Sequence, residues 1–197
     1  MITKTIKIDP WYPKLKDIEY VTEVLRDDGI IIYPTDTVYG LGCNINSCNI
    51  IKKIDLIKGR EKNKPYSLAF SDIDMVKRYS LMSKEQEIFI RKHIKEPYTF
   101  ILEKRKNVPD FVTKNRYGVG VRIPNYNVCR LLIKYYGYPI ISTSANVSGK
   151  YPPSNPKEID VGVVEKVDLI VDSGICYFGR PSSVVDLTKK EIKVIRE

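Results

Sequence analysis

Two stretches of this chain place small hydroxyl side chains at the end of an apolar run. In "IIIYPTDTVYGLG" (30–42), Ile30, Ile31, Ile32 and Tyr33 lead into Thr35, Asp36 and Thr37. In "PIISTSAN" (139–146), Ile140 and Ile141 lead into Ser142, Thr143, Ser144 and Asn146. Hydroxyls and amides both donate and accept hydrogen bonds, so they suit an amino acid's amine and carboxylate, or a ribose with phosphates. Turn formation alone would explain one such cluster. Two, each closing an apolar strand, point to a ligand beyond the strand ends.

Cations supply the second ingredient. "KGREKNKP" carries Lys58, Arg60, Lys62 and Lys64 within residues 58–64. A helix C-terminus attracts cations through its dipole, but this many repel one another unless something anionic sits among them. Arg122 interrupts the apolar strand "VGVRIP" (119–124). A buried arginine needs a partner, either a ligand carboxylate or phosphate gripped by its planar fork or a protein carboxylate. Familiar nucleotide motifs are absent. "GLG" lacks the third glycine of a dinucleotide fingerprint, and Ser144 stands where the first glycine of a phosphate loop ending in "SGKY" would be.

The elements that must position these groups follow from periodicity. Leu15, Ile18, Val21 and Leu25 fall on one helical face, closed at Gly29. A strand over 30–33 follows, then a helix marked by Ile50, Ile51, Ile54 and Ile57 with Ser47 as its cap. Residues 66–70 read as a strand, with Ser71 and Asp74 opening the next helix. Ser83 and Gln86 form a capping-box pattern for a helix carrying Ile88, Phe89 and Ile94. Strands are expected over 98–103 and 119–124, and a helix from Val128 that stops at Gly137. After the short apolar strand of "PIISTSAN" and a Pro-rich loop, "DLIVD", "SSVVDLT" and "EIKVIR" complete the strands. The interleaving predicts one α/β domain over 1–197, with a twisted, mixed parallel and antiparallel sheet flanked by helices.

Composition narrows the class. The 197 residues are 43% hydrophobic and 29% charged, an ordinary globular balance. No run approaches the ~18 apolar residues of a membrane span, and the start has no signal-peptide core, so a cytoplasmic protein without membrane contact is expected. Cys43, Cys48, Cys129 and Cys176 form no CxxC pair, and with His93 as the one histidine no zinc set is expected. His93 itself is expected to be structural or solvated. The net charge of +9 favours anionic partners, RNA or nucleotide phosphates. That charge alone would also fit a non-catalytic double-stranded RNA-binding protein acting in ribosome assembly.

"YPTDTVYGLG", "KGR", "VGVRIP", "STSANVSG" and "SSVVDLT", in this order, resemble the TsaC/YrdC family of L-threonylcarbamoyladenylate synthases, in its short, single-domain form. The resemblance runs from about the first helix to Arg196. It implies a nucleotidyltransferase that makes threonylcarbamoyl-AMP and pyrophosphate from L-threonine, bicarbonate and ATP with Mg2+, without a tightly bound organic cofactor. A downstream transferase would then modify adenosine beside the anticodon of tRNAs reading codons that begin with A. Carried over, Lys58, Arg60, Ser144 and Asn146 are the catalytic group around ATP. Lys64 and Arg196 also contact the nucleotide, while Thr37, Arg122, Ser142 and Ser182 hold threonine. No metal is expected on protein side chains alone. The chain departs from the family pattern at Asp36 (usually Glu), Glu61 (often Pro), Tyr66 (often Leu), Pro181 (usually Glu) and Ser183 (usually Thr). Related domains inside larger hydrogenase-maturation proteins make carbamoyl transfer a third reading, disfavoured by the lack of accessory domains here.

Overall fold

The computed structural model describes residues 3–189 and 191–196. The chain opens with β1 (Lys4–Lys7), α1 (Leu15–Arg26), β2 (Ile31–Tyr33), β3 (Gly40–Gly42) and α2 (Cys48–Lys58). It continues through β4 (Ser67–Ala69), α3 (Ile73–Tyr79), β5 (Ser80–Leu81), α4 (Lys84–His93) and β6 (Tyr98–Lys104). Then come α5 (Asp110–Thr113), β7 (Gly118–Arg122), α6 (Asn127–Tyr136) and β8 (Ile140–Ser144). A 3-10 turn (Pro156–Glu158), α7 (Val161–Val164), β9 (Leu169–Asp172), β10 (Ser183–Asp186) and β11 (Lys193–Arg196) complete it.

All strands join one sheet in the order β1-β9-β2-β3-β8-β4-β7-β6-β10-β11, with β5 on β6. The pairs β1–β9, β2–β9, β4–β7 and β6–β10 are parallel. The central run β2–β3–β8–β4 is antiparallel throughout. The mixed α/β sheet agrees with the sequence reading. Among the described residues no helix is long and apolar enough to cross a membrane.

The antiparallel centre is what brings the two hydroxyl clusters together. β3 lies between β2 and β8, pairing Tyr33 with Gly40 on one side and Gly40 with Ser144 on the other. The Tyr33 ring crosses over β3, and its hydroxyl donates to Ser142 Oγ at 2.9 Å. It can do so because β3 carries glycine where the ring passes. A Cβ at Gly40 would lie 3.1 Å from the ring, and one at Gly42 only 2.8 Å away. Tyr33 is fully buried and has no space to retreat into. Gly42→Ala should therefore cost about 1–3 kcal/mol, the usual range for overpacking a dense core. Urea unfolding would show a lower midpoint at unchanged slope, and a midpoint equal to the parent's would refute the steric account.

Several local expectations are corrected. Leu15 begins α1 but is 52% exposed, while Ile18, Val21 and Leu25 are buried. Its position in the first turn carries it off the face that packs on α6. Ser47 is the N-cap of α2, yet its hydroxyl makes no cap bond and donates to Asp28 Oδ1 instead. The cap of α3 is Asp72, which accepts from Met75 N at 2.8 Å, and Ser71 merely donates to that carboxylate. The Ser83–Gln86 capping box is present as expected. On α4 the buried residue is Ile90, whereas Ile88 is exposed. His93 ends that helix against Phe89 and faces Glu96 Oε1 at 3.1 Å. β1, β3, β5, α5, α7 and the 3-10 turn have no counterpart in the elements expected from sequence. The cysteines are free thiols, with Cys43, Cys129 and Cys176 buried.

Candidate functional site

A cleft of about 810 Å³ opens over the ends of the central strands. Thr37, Lys58, Arg60, Lys64, Arg122, Ser142, Ser144, Asn146, Ser182 and Arg196 all line it, so the structure gathers every site residue expected from sequence into one place. Thr35, Tyr66, Thr99, Arg116, Tyr117 and Thr143 share the wall.

Lys58 closes α2. Gly59 follows with φ of 56°, the left-handed conformation glycine adopts freely, and turns the chain so that Arg60 N reaches Asp55 O at 2.9 Å. The Lys58 ammonium then folds back, 97% buried, onto the 144–146 loop. It donates to the Ser144 carbonyl, to the Asn146 carbonyl at 2.7 Å and to Asn146 Oδ1 at 3.3 Å. An ammonium has three protons, and three oxygens face it. Ser148 N returns to Lys58 O at 2.7 Å, while Asn146 Nδ2 ties Val147 O and Lys150 O. "SAN" is thus wrapped around Lys58. Burial pushes the Lys58 pKa down to about 7, and the nearby Arg60 and Lys64 charges push the same way.

Arg60 points across the cleft entrance. Its Nε donates to Lys64 O at 3.2 Å, Nη2 to Pro65 O at 2.7 Å and Nη1 to Thr143 Oγ1 at 3.3 Å. Lys64 stands exposed on the rim. Arg196 holds Ser182 O through Nη2 and Nε at 2.5 and 3.1 Å, and the Ser182 hydroxyl meets Thr99 Oγ1 at 2.8 Å.

Thr35 and Thr37 divide the labour. Thr35 Oγ1 donates to Val38 O at 2.7 Å and accepts from Thr37 N and Val38 N, so it builds the turn. Thr37 Oγ1 lies 2.9 Å from Thr35 Oγ1, a contact in which either hydroxyl can donate. Thr37 lines the cleft, where its hydroxyl is a group that can accept from a ligand.

Arg122 has the protein partner that sequence left open. Its Nη2 meets Asp36 Oδ1 at 2.6 Å, with side chains 6% and 3% exposed, and Nη1 donates to Tyr98 O at 2.9 Å. Asp36 Oδ2 and Arg122 Nε have no partner among the described residues. The pairing was hidden because Asp36 and Arg122 lie far apart in sequence. Tyr66, Thr143 and Arg116 were likewise not assigned a place in the site.

The electrostatics of the wall are one-sided. Lys58, Arg60, Lys64, Arg116, Arg122 and Arg196 face only Glu61 and Asp186 among the lining residues. Among the described residues, Arg122 alone of these cations has a carboxylate within ion-pair distance. Unpaired cations crowding a partly buried cleft favour a multiply charged anion. No group of three or more His, Cys, Asp or Glu side chains suited to a metal ion occurs among the described residues.

The family model Sua5/YciO/YrdC, described as "Telomere recombination", matches residues 23–197. A protein named putative threonylcarbamoyl-AMP synthase from Methanocaldococcus jannaschii is 35% identical over 182 residues, 92% of this chain and 86% of that one. The uncharacterized protein YciO of Escherichia coli is 32% identical over 193 residues, 96% of this chain and 93% of its own. The YciO crystal structure superposes with a TM-score of 0.91 at 30% identity, covering 99% of this chain and 95% of that one. Pyrococcus abyssi Sua5 complexed with L-threonine superposes with a TM-score of 0.90 at 29% identity. That match covers 98% of this chain and 57% of the Sua5 chain.

Proposed function

Because this chain belongs to the Sua5/YciO/YrdC family, we propose that it is a threonylcarbamoyl-AMP synthase, a nucleotidyltransferase joining L-threonine, bicarbonate and ATP with release of pyrophosphate. The observation that carries the reading is the cleft itself, where five basic side chains besides the Asp36-paired Arg122 face two carboxylates and two hydroxyl clusters meet. A triphosphate supplies the missing negative charge, and a small zwitterion matches the neutral hydroxyls. The P. abyssi protein crystallised with L-threonine supports the second assignment.

In this scheme the threonine amine adds to CO2 with loss of a proton, or to bicarbonate with loss of water, to form a carbamate. The carbamate oxygen attacks the α-phosphorus of ATP, and pyrophosphate leaves. No protein nucleophile takes part. Thr37 accepts from the amine, while Arg122, Ser142 and Ser182 hold the carboxylate end. Arg60, Lys64 and Arg196 face the phosphates, where positioned donors stabilise developing charge best. Lys58, Ser144 and Asn146 shape the loop that closes on them. Mg2+ would come as its complex with ATP and would screen charge on the phosphates, with Glu61 and Asp186 the lining carboxylates available to it. The product passes to a separate transferase that acts on tRNA, in the cytoplasm.

Pyrophosphate release should require both L-threonine and bicarbonate, and mass spectrometry should find threonylcarbamoyl-AMP. Equal ATP turnover without threonine would refute the assignment. Lys58 gives a second, independent expectation. With its pKa near 7 in the free protein, it is largely neutral at pH 8. A bound triphosphate offsets the repulsion from Arg60 and Lys64 and raises that pKa, so binding should take up part of a proton at pH 8. At pH 6 Lys58 is charged before and after, and the uptake should vanish. Calorimetry of an ATP analogue in buffers of different ionisation heat measures this directly. Proton release at pH 8 would contradict the placement of phosphates beside Lys58.

A further inference from the structure

Tyr66 is a fully buried tyrosine in the cleft wall, 1% exposed. A buried phenol needs a partner, and this one donates to Asp55 Oδ1 at 2.6 Å. The other oxygen of Asp55 pairs with Lys114 Nζ at 3.0 Å. Burial, together with the bond to Asp55, raises the Tyr66 pKa well above the ordinary tyrosine range, so the ring stays neutral. Over its face sits the Arg60 guanidinium, 4.3 Å from the ring centroid. The same guanidinium donates to Lys64 O, Pro65 O and Thr143 Oγ1. Of the five N–H bonds a guanidinium carries, three are spent on fixed acceptors, and the stacking face sets the plane of the other two.

We propose that Tyr66, anchored through Asp55 and Lys114, is the positioning residue for Arg60, locking its guanidinium plane so that the remaining N–H bonds face the phosphates of a bound nucleoside triphosphate. The proposal rests on the nucleotide reading above. It assigns Tyr66 no contact with the reacting atoms. Its effect runs through Arg60, and that makes it separable from simple packing.

The experiment is a double-mutant cycle on Tyr66→Leu and Arg60→Ala, read as affinity for a non-hydrolysable ATP analogue. Tyr66→Leu should weaken binding about tenfold, from lost stacking and lost alignment. Once Arg60 is alanine, Tyr66→Leu should cost almost nothing further, because residues acting as one unit are not additive. Tyr66→Phe keeps the face but drops the Asp55 anchor, and should lose severalfold; it also serves if the leucine protein fails to fold. A parallel readout needs no nucleotide: the Arg60 Nε–H signal in 15N NMR should be protected and ring-shifted in the parent, and lose both in Tyr66→Leu. Additive losses, an unchanged Arg60 signal in folded Tyr66→Leu, or undiminished analogue affinity in Tyr66→Phe would overturn the proposal while leaving the nucleotide reading intact. Absence of analogue binding by the parent protein would overturn both.

Discussion

Folded Lys58→Ala and Arg60→Ala proteins should each lose threonylcarbamoyl-AMP synthesis by about two orders of magnitude or more, the range seen on removing one transition-state donor. The two losses should differ in kind. Arg60 aims its free N–H bonds into the cleft, so alanine there removes charge stabilisation and should lower kcat. Lys58 holds Ser144 and Asn146 through three oxygens, so alanine there releases the loop as well. Its loss should appear in the ATP requirement as much as in kcat, with faster hydrogen exchange over 144–150. Removing Lys4, Lys14 or Lys189 should leave synthesis nearly intact. Binding of RNA, if tested on the same set, would follow the opposite rule, each lost phosphate contact costing modest affinity and flattening the salt dependence by about one unit. Full activity in folded Lys58→Ala and Arg60→Ala proteins would remove the roles assigned here to these two residues.

The second large effect concerns stability. Arg122→Met leaves the Asp36 carboxylate buried without its cation. Stranding one member of a buried pair typically costs about 3–5 kcal/mol, a sizeable part of a domain's whole stability. Adding Asp36→Asn should recover much of that loss, since the uncompensated charge is then gone. Arg122→Lys keeps a charge for Asp36 but gives up the fork. It should fold, and raise the threonine requirement far more than the ATP requirement. Urea midpoints and substrate titrations of the three proteins test both statements. An Arg122→Met midpoint matching the parent's would mean that the ion pair contributes nothing to the fold.

The strands that carry the cleft were readable because each is an apolar run closed by turn-forming residues, and the cations because like charges crowded in sequence require an explanation. What was unreadable depends on distance or on subtraction. β3 carries no apolar alternation: its sequence is set by the Tyr33 ring lying across it, a constraint visible only once β2 and β8 flank it. β1 is an edge strand with mostly exposed side chains, so burial left no pattern in it. The choice of Asp72 over Ser71 as a cap turns on backbone direction, since both residue types can cap. Arg122 announced that it needed a partner, but Asp36 is 86 residues away and already looked like part of the hydroxyl cluster. Tyr66 read simply as the start of a buried strand, though its face and its hydroxyl serve different neighbours.

The order of the central strands also governs when the site can exist. Gly40 pairs with Ser144, and Ser67 with Ser142, so the cleft is closed by contacts between chain segments far apart. Long loops must close before such contacts return any energy, which places mixed sheets of this kind among slower folders than helical bundles of similar size. The hydroxyl cluster at Thr35–Thr37 is synthesised early, yet it has no opposite wall until β8 inserts between β3 and β4. β10 then brings Ser182 into the wall only after docking beside β6. During translation the nascent chain therefore carries the cations and the first hydroxyls with nothing to enclose a ligand. Substrate binding should switch on at a single late stage, once the chain beyond Asp186 has cleared the ribosome, and ligands present in the cell can stabilise only the finished fold.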